Sequence, residues 1–82
     1  MQKELFKIST KYESPVRAVE AIWKCVYIMG FEVMKESETE LIFGKNSLFG
    51  MIPRVLKFSV LDDIIFLESS PRDFYKVRSI LK

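Results

Sequence analysis

With 82 residues, 49% of them apolar, and a net charge of +2, the chain reads as one domain spanning 1–82. That charge is too small to call for a nucleic-acid partner by itself. There is no histidine and one cysteine, Cys25, so the commonest general base and metal ligand is missing and no internal disulfide can form.

No run approaches the roughly 18 uninterrupted apolar residues of a membrane span. The start, Met-Gln-Lys-Glu, lacks the apolar core of a signal peptide, so the expected location is cytoplasmic. One Asn and one Gln among many Lys, Glu and Ile give a profile of proteins from hot environments.

Residues 4–11 alternate as a first strand, with Phe6, Ile8 and Thr10 toward the core and Leu5, Lys7 and Ser9 away from it. The stretch from Ser14 to Gly30 then reads as a helix. Ser14 suits the N-cap, Pro15 the first helical position, and Gly30 the left-handed residue past the end, with Phe31 folding back. At about 100° per residue, Val19, Ile22, Trp23, Val26 and Met29 share one face. Arg17, Glu20 and Lys24 form a narrow polar stripe opposite. Ala18, Ala21, Cys25 and Ile28 fill one flank, and Val16 and Tyr27 the other. So wide an apolar arc calls for a curved sheet plus a neighbouring helix, or for another subunit; the chain supplies the helix.

Strands follow at 31–36, 40–45, 54–61 and 64–69, with a polar turn at Ser37-Glu38-Thr39 and a tight one at Asp62-Asp63. Leu56, Phe58 and Val60 face one way in the fourth strand; Val55, Lys57 and Ser59 face the other. The fifth strand is apolar on both sides, and placing Ile64 and Phe66 toward the helices leaves Ile65 and Leu67 on the open side. Ser70-Pro71 starts a second helix over 71–81, with Asp73 placed for a capping box and Phe74, Val77 and Leu81 toward the core.

The expected fold is α+β: an antiparallel five-stranded sheet with two helices on one face, in the order β-α-β-β-β-β-α. Right-handed crossover through the first helix sets strand one beside strand five. By order of elements, this chain resembles the TATA-box-binding-protein fold class, in which one such unit is a half-domain. Lysines among aliphatic groups on the uncovered sheet face suit a nucleic-acid backbone, with Lys7, Lys45, Arg54 and Lys57 as the phosphate contacts, and the resemblance points the same way.

Two other functional readings come from the residues themselves. The loop 46–53 carries Leu48, Phe49, Met51 and Ile52 between polar neighbours, and apolar side chains in loops mark a contact. Either the loop folds over the end of the core, or it meets a partner. With Met34, Val55 and Ile65 on the uncovered face, it makes the preferred reading a non-catalytic module that self-associates as a homodimer or binds a protein partner. A small apolar ligand beside Trp23 is a third reading.

No phosphate-cradling loop, paired-cysteine metal site or nucleophile–base arrangement is present, and Asp62 and Asp63 diverge as neighbours in a turn. Hence neither catalysis nor a cofactor or metal is expected. Cys25 reads as a small apolar filler. Arg72, Lys76, Arg78 and Lys82 make the second helix basic, against an acidic patch of Glu32, Glu36, Glu38 and Glu40. Phe49→Asp is expected to change the oligomeric mass in light scattering; an unchanged mass with a large fall in melting temperature assigns the loop to its own core.

Overall fold

The longest element of the computed structural model, α1 (Pro15–Met29), starts and stops where its flanking residues dictate. The Ser14 Oγ accepts from the Arg17 amide at 3.3 Å, and Pro15 occupies the first turn. At the other end Gly30 adopts φ 78°, which a side chain resists; its amide donates to Tyr27 O and the Phe31 amide to Val26 O. The structure describes residues 3–8, 12–45, 54–62 and 64–81.

The remaining elements are β1 (Glu4–Ile8), β2 (Glu32–Glu36), β3 (Glu40–Lys45), β4 (Arg54–Leu61), β5 (Ile64–Ser69) and α2 (Pro71–Ile80). All strand pairs are antiparallel, in the order β1-β5-β4-β3-β2. The expected α+β class and element order hold, and strand one lies beside strand five. Both helices cover the same face: α1 lies over β4 and β5, α2 over β1 and β5.

The buried stripe of α1 is Ala18, Ile22, Cys25, Val26 and Met29, rotated from the expected stripe toward the small side chains. Ala18 and Cys25 let the helix axis approach the sheet, which leaves Val19 and Trp23 at the margin, half-buried. Ile28, Val16 and Tyr27 remain exposed. Below the helix an aromatic relay fills the core: Trp23 meets Phe43 edge-on at 5.1 Å, and Phe43 meets Phe58 at 5.9 Å. Each fully buried phenylalanine contributes on the order of 2–3 kcal/mol through burial, with edge-to-face geometry adding to it.

Strand β5 corrects the expected facing. Ile65 and Leu67 are fully buried under the helices, whereas Ile64, Phe66 and Glu68 turn to the open side. The register is the cause: Ile65 lies opposite Val60 and Ile8, and Leu67 opposite Phe58 and Phe6, all on the helix side. Asp62, with φ 57°, makes the short turn that fixes this register.

The first strand is described only to Ile8, so Thr10 and Ser9 fall outside the described residues. Strand β2 begins at Glu32 rather than Phe31, which is buried beneath the end of α1.

Helix α2 is fixed by both its ends. Ser70 Oγ accepts from the Asp73 amide, as in a capping box. The Asp73 carboxylate, however, pairs with Arg54 of β4 and is buried there. Phe74 stacks on Phe6 of β1 with centroids 4.0 Å apart, and the Tyr12 hydroxyl donates to Leu81 O at 3.2 Å. Asp73→Ala leaves Arg54 half-buried without its partner and is expected to cost about 2–4 kcal/mol, read as a lower urea midpoint at unchanged slope. A loss below about 0.5 kcal/mol contradicts the structural role given to the pair.

Candidate interaction surface

Because residues opposite one another in a sheet share a face, the register writes out the uncovered side row by row. One row runs Lys7, Phe66, Ser59, Glu40 from β1 through β5 and β4 to β3. The next runs Leu5, Glu68, Lys57, Ile42 and ends at Lys35 of β2. Ile64 and Leu61 face each other at one end, and Val55, Gly44 and Glu32 line up at the other.

A register shift between Val33 and Lys35 makes a bulge at Met34. The bulge sends the Met34 side chain over Gly44, with its sulfur where a Cβ on Gly44 would sit.

The face therefore mixes aliphatic and aromatic groups with charges of both signs. Leu5, Met34 and Leu61 are well exposed, at 70%, 65% and 64%, and Phe66, Ile42, Ile64 and Val55 are half-buried by their neighbours. The charges balance: Lys7, Lys35 and Lys57 against Glu32, Glu40 and Glu68. Lys57 Nζ lies 3.5 Å from a Glu40 carboxylate oxygen, so part of that balance is an ion pair within the sheet.

Of the residues expected in a partner interface, Met34 and Val55 lie on this face. Ile65 does not; it belongs to the core, as the β5 register requires. Leu48, Phe49, Met51 and Ile52 lie outside the described residues. Phe66, Ile42, Ile64 and Leu61 were missed. The signals for them were Glu68, of the same parity as Ile64 and Phe66, and Glu40, of the same parity as Ile42.

The four expected phosphate contacts divide between the two sides. Lys7 and Lys57 are on the uncovered face. Lys45 and Arg54 are on the helix side, because they continue the buried alternations Leu41, Phe43 and Leu56, Phe58. There Lys45 Nζ donates to Met29 O at 3.1 Å, where a cation suits the end of α1. Both cations lie over the Phe31 ring, Lys45 Nζ at 5.9 Å and the Arg54 guanidinium at 5.3 Å from its centroid. Arg54 is also held by Asp73. These two cations are committed to joining α1, β3, β4 and α2.

Two hollows flank the sheet. One, of about 550 Å³, lies between Gly30, Glu32, Met34, Lys45, Arg54 and Val55. The other, of about 460 Å³, is walled by Val16, Val19, Val60 and Leu61 and rimmed by Glu20, Glu38 and Asp62. The second lies between the first turns of α1 and the end of β4, and Trp23, whose ring packs against Phe43, lines neither. Among the described residues no group of three or more His, Cys, Asp or Glu side chains is arranged to hold a metal ion, and no helix is long and apolar enough to cross a membrane.

Cys25 is fully buried in α1, where its thiol approaches the Met29 sulfur at 3.8 Å. Burial pushes that thiol from an ordinary 9.0 up to about 11. Burial, and secondarily the neighbouring Cys25, also raises the Tyr12 hydroxyl above its ordinary 10.0. A thiol with a raised pKa stays protonated in the folded chain while the unfolded chain ionises. Its contribution is whole below pH 9 and is lost as the pH rises toward 11.

Stability measured by urea is therefore expected to fall across that interval, and less so in Cys25→Ala than in the parent. Equal slopes in the two proteins contradict the assignment. No protein-family model matches the chain, and comparisons with curated proteins and with solved structures gave no significant match.

Proposed function

We propose that the protein is a small, non-catalytic interaction module that self-associates through its uncovered sheet face. The supporting observation is an exposed, two-signed face: Phe66, Ile42, Ile64, Leu61 and Met34 stand among three lysines and three glutamates. Apolar surface of this kind is costly to leave in water, and it marks an interaction site when contiguous. Equal numbers of both charges suit a partner that carries the same pattern. In this reading Leu48, Phe49, Met51 and Ile52, which lie between β3 and β4 in the sequence, supply further apolar groups to the contact.

Nucleic acid, the partner implied by the half-domain resemblance, fits the same face less well. Attraction to a phosphate backbone needs a surplus of cations. Here Glu40 and Glu68 adjoin Lys57, and Lys45 and Arg54 serve the helix side. Phe66 is an aromatic group on the open face, but it stands alone there among the described residues, whereas single-strand binding uses a series of stacking platforms.

Sedimentation or light scattering at two concentrations tests the proposal. The parent is expected to give a mass of twice 9.6 kDa at the higher concentration and to dissociate on dilution. Leu61→Asp places a charge at a 64% exposed position, so it is expected to abolish the dimer with little change in the melting temperature of the monomer. A parent that stays monomeric at both concentrations sinks the proposal. A Leu61→Asp variant that dimerises as well as the parent removes the sheet face from it.

A further inference from the structure

We infer that the partner on the sheet face is a second copy related by a two-fold axis that runs along the strands, between β4 and β5. The inference rests on the self-association reading above and names its geometry. A two-fold contact is isologous: whatever one copy sets opposite its partner, the partner sets opposite it. When two sheets meet face to face, an axis parallel to the strands keeps each row opposite the same row and reverses its order.

Reversing the observed rows about the line between β4 and β5 gives complementary pairs across β1, β5, β4 and β3, and leaves β2, with Glu32, Met34 and Lys35, outside the overlap. In the first row Lys7 comes opposite Glu40, and Phe66 opposite Ser59. In the second, Leu5 comes opposite Ile42, and Glu68 opposite Lys57. At the hairpin end Ile64 comes opposite Leu61. Charge meets opposite charge twice, apolar meets apolar twice, and the remaining pair sets an aromatic ring on a small hydroxyl. Each pair occurs two times in the dimer.

Other axes spoil the pattern. An axis over β4 sets Lys57 against its own copy, and one over β5 does the same to Glu68. An axis across the strands, between the two rows, sets Phe66 against Glu68 and Ile42 against Glu40. Burying a charge against an apolar group or a like charge is the arrangement that specific interfaces avoid.

The pairs beside the axis, Glu68 with Lys57 and Ile64 with Leu61, move least when sheet twist rotates one copy by about 30° on the other. The overlap under this axis is four strands wide, β1 to β3, and about six residues long, so it covers roughly 400 Å² per copy, the size of a weak, transient contact. A dimer that forms and dissociates with concentration is the expected result.

Mixing charge-reversed chains tests the axis without relying on pairs inside one chain. Lys57→Glu alone and Glu68→Lys alone each place two like-charge pairs across the axis, and each is expected to weaken the dimer roughly 100-fold. An equimolar mixture of the two restores every pair and is expected to give a heterodimer at the parent's concentration. Lys57→Glu mixed with Glu40→Lys has the same net charges but mismatched positions, and it is expected to stay monomeric.

The outer pair gives an independent reading should the Lys57 variant unfold: Lys7→Glu mixed with Glu40→Lys is expected to form the heterodimer. Equal association of the matched and mismatched mixtures overturns the axis, as does a matched mixture that stays monomeric. If Leu61→Asp abolishes the dimer and the matched mixtures do not associate, the face is retained and the two-fold is wrong. A parent that is monomeric throughout removes both.

Discussion

The short turn through Asp62 is the constraint on which the remaining assignments depend. It places Leu61 opposite Ile64 and so fixes β4 against β5 for their whole length. Side chains alternate along a strand, so a slip of one residue would exchange the core of β5 with its open face. With the register set as it is, Ile65 and Leu67 join Phe58 and Val60 beneath the helices, and β1 extends the same core through Phe6 and Ile8. The aromatic relay from Trp23 to Phe58 and the Asp73–Arg54 pair then hold α1 and α2 on that side.

Much of this was legible in the residues, and the failures have a common origin. The ends of α1 were plain because Ser14, Pro15 and Gly30 each have one strong local role. Strand β4 was plain because Lys57 and Ser59 mark its wet side against Leu56, Phe58 and Val60. Strand β5 was not, because Ile64 to Leu67 are apolar on both sides, and the only strong polar mark, Glu68, lies at one end. Arg54 and Lys45 misled in a related way: a cation at a strand end reads as solvent-facing. Here one finds a buried carboxylate and the other a helix-end carbonyl, partners that lie far away in sequence or are set by the turn into β2.

The surface that supports the functional reading was partly visible, through Met34 and Val55. It could not be assembled without the register. A row such as Leu5, Glu68, Lys57, Ile42 draws on four strands and has no image in the linear chain. Once assembled, the face is short of net charge but rich in charge pattern, and pattern is what separates a partner of matched design from a polyanion.

The displaced residue in β2 bears on how far assembly can proceed. An outermost strand offers free amides and carbonyls to any passing chain, and unchecked pairing there leads to ribbons and fibres. In β2 the extra residue breaks the even spacing of those groups, and Glu32, Lys35 and Glu36 surround the break with charge. Sideways extension of the sheet is thereby discouraged at this border, which leaves stacking of broad faces as the cheaper mode of contact. In the proposed self-association, stacking of this kind is satisfied once two faces have met, and growth would end at a closed pair.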